Sequence, residues 1–271
     1  MKTLQCKKPK KSIKFGDIFS LGNHLLVCGS STNPQIIKNL IDKLREVIDE
    51  NEKKKEKVKL ILADPPYAVG YVESKQNLKE FSKEHKKIAN DHIQTEEEYK
   101  NFTKSWMELI RPYLEEKNAF YIFNSDKMLF SLKEGLNEAK YRFTQLLIWI
   151  KNQAVVGRLD YMPQHELIAY GWYGKHEFLK SKDKTIITYP KPQKSKLHPT
   201  MKPIGLLRRL ILNSTKINDI VFDPFGGSGS SLIACEHTKR RCLMVELDMD
   251  YCQVIIDRFE KLTGIKAKLI N

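Results

Sequence analysis

Residues 62–67 read Leu62-Ala63-Asp64-Pro65-Pro66-Tyr67. They close an apolar run, Val58, Leu60, Ile61 and Leu62, that reads as a short buried strand with Asp64 at its carboxyl end. Open α/β sheets bind their ligands at that end. Each proline lacks a backbone donor, holds its own φ near about −65°, and disfavours helix in the residue before it, so Asp64 and Pro65 are expected to be extended. The result is a stiff arm whose carbonyls need donors from elsewhere.

An exocyclic amino group on a nucleobase supplies such donors. One N–H can go to the Asp64 carboxylate and the other to the Pro65 carbonyl, with Tyr67 stacked on the ring. Two acceptors that draw the amine towards pyramidal geometry free a lone pair otherwise conjugated with the ring. The nitrogen can then attack an electrophilic methyl carbon. The same four residues also fit an ordinary turn after a strand, with Tyr67 packed on the core. The rest of the chain decides between these readings.

Working outward to the amino terminus, residues 1–13 form a basic arm, and Ile13 to Gly29 suggests two short strands with turns at Gly16-Asp17 and Gly22-Asn23. Pro34 opens a helix over residues 34–49, carried by Ile36, Ile37, Leu40, Ile41, Leu44, Val47 and Ile48 at helical spacing. On the carboxyl side of Tyr67, residues 68–92 have mixed charge and weak periodicity, and are expected to form a lid loop. Thr95 and Glu98 make a capping box for a helix to about Leu114, followed by a strand over 119–123, a helix over 128–139 and a strand over 145–150. This alternation predicts an α/β fold with a mainly parallel sheet.

Residues 151–196 lose that rhythm. They hold Gly157, Gly171, Gly174, Pro190 and Pro192 among basic and aromatic residues, and form a candidate substrate-reading insert with Arg158, Tyr161, Trp172 and Tyr173 as possible contacts. A satellite core beneath a long loop explains any one of these aromatics equally simply. A helix over 204–212 and a strand over 220–223 follow. Then comes the glycine turn Pro224-Phe225-Gly226-Gly227-Ser228-Gly229, whose missing Cβ atoms would permit close approach of a small ligand. Position 232 is Leu, so this is not the dinucleotide fingerprint, and the P-loop lysine is missing as well. A strand over 242–245 ends in Glu246, an acid placed to accept from ribose hydroxyls. A helix over 248–262 and an edge strand over 266–270 end the chain.

Composition sets the bounds. The 271 residues can bury one full core, 41% are hydrophobic and 30% charged, and no apolar run approaches the roughly 20 residues of a membrane span. The start, MKTLQCKKPKK, does not resemble a secretory signal, and the five cysteines include no C-x-x-C pair. A reduced, cytoplasmic protein without a metal site is expected. The net charge is +14, and residues 151–216 hold 13 Lys or Arg against 4 Asp or Glu. Such a stripe suits nucleic acid, and it equally suits a lysine-rich solvated surface.

Together, DPPY at 64–67, HPTMKP at 198–203, DPFGGSG at 223–229 and MVEL at 244–247 resemble the beta group of DNA amino-methyltransferases, in which the catalytic motif precedes the S-adenosylmethionine motif. The resemblance runs from about Phe15 to Leu262. It implies a Rossmann-like methyltransferase fold, α/β with a seven-stranded, mainly parallel sheet, circularly permuted so that the strands ending at Asp64 and Asp223 lie side by side. It implies that Asp64, Pro65, Pro66 and Tyr67 hold the target base. Phe225, Gly227 and Gly229 would line the cofactor, Asp223 would face its methionine part, and Glu246 would bind ribose. Thr200 and Lys202 become candidates for the methionine carboxylate. Family members often have Gly-Asp where this chain has Gly29-Ser30, an acid that helps hold the adenine of the cofactor.

The reading is therefore a single methyltransferase domain over 14–271 that flips a base out of double-stranded DNA and methylates its exocyclic amine, adenine N6 being favoured by an Asp at the first motif position. No cysteine follows a proline, which argues against cytosine C5 chemistry. Cytosine N4, or a non-catalytic DNA-binding subunit with a decayed cofactor site, are the alternatives. A homodimer or a partner subunit is possible.

Overall fold

The computed structural model describes residues 12–48, 56–67, 94–154, 160–180, 183–191 and 201–271. The proposed lid, most of the basic arm, Arg158, His198 and Thr200 lie outside them. Strands β1 (Ile18–Leu21) and β2 (His24–Cys28) form an antiparallel pair, followed by helix α1 (Pro34–Val47). Next come β3 (Val58–Ala63), α2 (Glu96–Ile110), β4 (Leu114–Asn124), α3 (Leu129–Glu138), β5 (Arg142–Ile150), β6 (His165–Trp172) and β7 (Ile186–Thr188). The chain ends with α4 (Ile204–Ser214), β8 (Ile220–Asp223), α5 (Ser230–Thr238), β9 (Arg241–Glu246), α6 (Met249–Thr263) and β10 (Lys268–Leu269).

Local chemistry sets the helix ends. The Asn33 side chain accepts from the N–H of Gln35 at 2.9 Å ahead of Pro34, and Thr95 and Glu98 form the reciprocal capping box. Pro112 sits in a short 3-10 turn, Arg111–Tyr113, that stops α2 before Leu114, which is therefore the first residue of β4 rather than the end of a helix.

All strands join one sheet in the order β10-β1-β2-β9-β8-β3-β4-β6-β5-β7. The sheet has ten strands among the described residues, not seven. Within it, β2, β9, β8, β3 and β4 run parallel, and β6 is reversed between β4 and β5. β1, paired between β2 and the edge strand β10, and the other edge strand β7 make up the rest. Helices cover both faces: α1, α2 and α3 pack through Leu40, Trp106 and Leu132 on one, and α4, α5 and α6 through Leu210, Leu232 and Phe259 on the other. In β3, Leu60 and Leu62 face one cluster while Ile61 and Ala63 face the other, which is why the strand reads as a continuous apolar run.

The segment 151–196 is only partly an insert. Its residues His165–Trp172 are the reversed strand β6, buried at the heart of the sheet. Trp172 is 9% exposed, stacks on His176 with ring centroids 3.9 Å apart, and lies at the amino-terminal edge of the parallel strands. Tyr173 packs against Tyr141 there. Neither residue can meet a ligand at the opposite edge. Among the described residues, no helix is long and apolar enough to cross a membrane.

Candidate active site

Chain order departs in opposite directions from the β8–β3 pair, with β4 beyond β3 and β9 beyond β8. This is a topological switch point, and it opens a crevice at the carboxyl ends of the parallel strands. Asp64 follows β3, Asp223 ends β8, Glu246 ends β9, and Gly29-Ser30 follows β2, so four separate stretches of sequence converge on one edge.

Asp64 stands at the centre of a charge network. Its Oδ1 accepts from the Tyr67 hydroxyl at 2.8 Å, and its Oδ2 accepts from Lys202 Nζ at 2.7 Å. Lys202 also reaches Glu166 Oε2 at 3.3 Å, and Lys151 Nζ holds Glu166 Oε1 at 2.7 Å. The Lys202 ammonium lies 5.5 Å from the Tyr67 ring centroid and 5.1 Å from that of Phe123, a cation between aromatic faces. Burial pushes the Asp64 carboxyl above its ordinary range; Lys202 opposes the rise and the Glu166 charge adds to it. For Glu166, burial acts upward as well, but the two lysines outweigh it and keep it ionised below the usual range. Burial would discharge Lys202, yet its two carboxylates hold its pKa above the ordinary value.

The structure thus places Lys202 on Asp64. Glu166 and Lys151 join the site without having been singled out in the sequence. The weak signal for them was an acid opening the apolar run of β6 and a lysine directly after β5; antiparallel pairing sets Glu166 opposite Trp149, at the same edge as Asp64.

Across the switch point lies the glycine turn. Asp223 Oδ1 accepts from the Phe225 N–H at 2.9 Å, and its Oδ2 accepts from the Ser231 hydroxyl at the start of α5. Glu246, 8% exposed, accepts from Gly227 N–H at 2.6 Å and from Asp248 N–H at 2.8 Å. Burial raises both carboxyls to about 7. The glycines themselves answer to the fold as much as to a ligand. Gly229 has φ +78°, and a Cβ there would come within 3.0 Å of Ile255; a Cβ on Gly226 would come within 2.9 Å of Met244. The Phe225 ring packs edge-on against Trp106 with centroids 5.4 Å apart. Ser30 Oγ lies 2.8 Å from Thr32 Oγ1 and accepts from the Thr32 N–H in the turn before α1. A Cβ on Gly29 would strike Ile36, so this glycine lets α1 approach β2.

The donor set fits a nucleoside. A carboxylate offers about four acceptor directions, and Glu246 spends only two of them on backbone N–H groups, which leaves capacity for ribose hydroxyls beside the turn.

Comparison with known proteins bears on the fold and the family. The type II methyltransferase M2.MboI of Moraxella bovis is 24% identical over 230 residues, which span 77% of this chain and 82% of its own. The type II methyltransferase M.HpaI of Haemophilus parainfluenzae is 25% identical over 256 residues, or 83% and 73% of the two chains. Among solved structures, the M1.HpyAVI–SAM complex matches with a TM-score of 0.60 at 22% identity, over 86% of this chain and 98% of that one. The PvuII DNA methyltransferase (cytosine-N4-specific) matches with a TM-score of 0.61 at 16% identity, over 90% and 91%. The fold is that of the S-adenosylmethionine-dependent DNA methyltransferases. Residues 58–257, from the first residue of β3 into α6, match the DNA methylase family of N6 and N4 methyltransferases, and the chain belongs to that family.

Proposed function

We propose that this DNA methyltransferase acts on adenine N6 in double-stranded DNA, with S-adenosylmethionine as the methyl donor and Asp64 as the acceptor that activates the amine. The observation that carries this reading is the placement of Asp64 and Pro65 beside the glycine turn and Glu246, at one switch point. When bound by the glycine turn and the Glu246 carboxylate, S-adenosylmethionine would supply an electrophilic methyl carbon, its C–S bond breaking as the sulfonium leaves as a neutral thioether. The Asp64 carboxylate takes one N–H of the target amine and the Pro65 carbonyl takes the other, which draws the nitrogen lone pair out of conjugation with the ring. The proton shed by the nitrogen passes to Asp64, whose raised pKa suits it to receive one.

The target amine is out of reach inside a duplex, so the base is flipped into the crevice, at a cost of a few kcal/mol. The exposed residues Tyr161 and Met162 precede β6 on the site edge and belong to the surface offered to DNA. The PvuII enzyme shares the fold and is cytosine-N4-specific, so the fold alone fits both bases. Asp at position 64 favours adenine in the beta group, where Ser is commoner for cytosine.

Asp64→Ala tests the role of the acid. Lys202 keeps Glu166 as its partner in this variant. S-adenosylmethionine affinity measured by calorimetry should stay within about threefold of wild type, while the single-turnover rate falls by about 100-fold or more. A near-normal rate would contradict the assignment.

A further inference from the structure

We propose that Glu166 is a positioning residue for methyl transfer: it anchors Lys202 against Asp64, with Lys151 balancing its second oxygen, and so fixes the orientation and charge of the catalytic acid. The inference deepens the reading of Asp64 given above and rests on it.

The geometry carries it. Asp64, Lys202, Glu166 and Lys151 form a continuous chain of contacts at 2.7, 3.3 and 2.7 Å, with two acids and two cations alternating. The lysine side chains are each 6% exposed, against 29% for Asp64 and 21% for Glu166. Cations so well covered are held in one place, and the acids retain the accessible surface. Lys202 is contributed by the segment before α4 and has no strand of its own to orient it, whereas Glu166 stands on β6, paired on both sides in the sheet. The rigid element therefore positions the lysine, and the lysine positions the acid. The Tyr67 hydroxyl completes the contact from the other side, 2.8 Å from Asp64 and 3.5 Å from Glu166.

The groups acting on Asp64 are the charges of Lys202 from the segment before α4 and of Glu166 from β6, and the hydrogen bond that the neutral Tyr67 hydroxyl donates from its own arm; the Asp223 carboxyl on β8 also feels the Asp64 charge. The two charges act in opposite senses. The Glu166 charge disfavours ionised Asp64 and the Lys202 charge favours it. Gln at position 166 keeps an amide oxygen that can accept from Lys202, so in Glu166→Gln the loss of the Glu166 charge dominates and the pH at which Asp64 ionises should fall, whereas removing Lys202 should raise it.

The test is single-turnover methyl transfer as a function of pH, with saturating S-adenosylmethionine and duplex DNA, for the wild type, Glu166→Gln, Lys202→Met and the double variant Glu166→Gln/Lys151→Met. The double variant removes one charge of each sign, so it leaves no cation stranded if the single variant folds poorly. Glu166→Gln and the double variant are expected to lose about 10- to 100-fold in rate, the scale of a small misplacement in an active site, while calorimetric affinity for S-adenosylmethionine stays within about threefold. The acid limb of the profile should move to lower pH in Glu166→Gln and to higher pH in Lys202→Met. A wild-type rate and profile in folded Glu166→Gln would overturn the inference, as would a rate loss with an unmoved acid limb, which marks a merely structural ion pair. The two readings fail separately. N4-methylcytosine as the wild-type product contradicts the adenine assignment while the opposite shifts still establish Glu166, and N6-methyladenine with unshifted limbs overturns Glu166 alone.

Discussion

Glu246, the carboxylate proposed to accept from ribose hydroxyls, also ties Gly227 to Asp248 through their N–H groups. Its pKa is raised from 4.5 to about 7, and that of Asp223 from 3.8 to about 7, chiefly by burial. Between those values the folded protein binds more protons than the unfolded chain. Stability therefore falls as pH rises through this window and levels off above about 7, a loss on the order of 3 to 4 kcal/mol for each group. Cofactor binding should run the opposite way, since only the ionised Glu246 offers all its acceptor directions to ribose. Calorimetry at about pH 6 and about pH 8 should show tighter S-adenosylmethionine binding at the higher value, and Glu246→Ala should weaken binding by about 10- to 100-fold, as expected for unpaired hydroxyls. Unchanged affinity in that variant would remove Glu246 from the cofactor site.

At the scale of elements, the turn between β8 and α5 is shaped by packing. Gly229 caps α5 in the left-handed region, and its missing Cβ admits Ile255 of α6. Gly229→Ala should therefore destabilise the protein without cofactor by about 1–3 kcal/mol, read as a lower melting temperature. An unchanged melting temperature with weakened cofactor binding would instead mean that the ligand demands this glycine. The elements most legible in the sequence were those with a local signature: the Thr95 capping box, the Pro34 start of α1, and the strands that stop at Asp64, Asp223 and Glu246. β6 was missed because it is buried on both faces and carries Gly171, so it shows neither alternation nor uniform β propensity. That glycine is required where a Cβ would overlap the Arg142 carbonyl of β5, a contact between strands that a linear reading does not contain. Missing β6 also hid Glu166. The contacts of Lys202 within the protein were hidden for the same reason: the two carboxylates it bridges lie 138 and 36 positions away in the chain, and only the sheet brings them together.

For the whole molecule, the order of strands is what brings the proposed amine and nucleoside sites to one crevice. β3 leads to β4 on one side and β8 to β9 on the other, so Asp64 and the glycine turn share the gap between neighbouring strands. Charge adds a direction of approach, with a net +14 drawing the chain towards a polyanion. The central claim, methylation of an exocyclic amine in DNA and of adenine N6 in particular, is tested most directly by identifying the product. The protein is incubated with labelled S-adenosylmethionine and duplex DNA of mixed sequence, and the DNA is digested to nucleosides and resolved by chromatography. The account predicts label in N6-methyladenine. Label in N4-methylcytosine alone would contradict the base assignment, and label found only in RNA or protein would contradict the substrate.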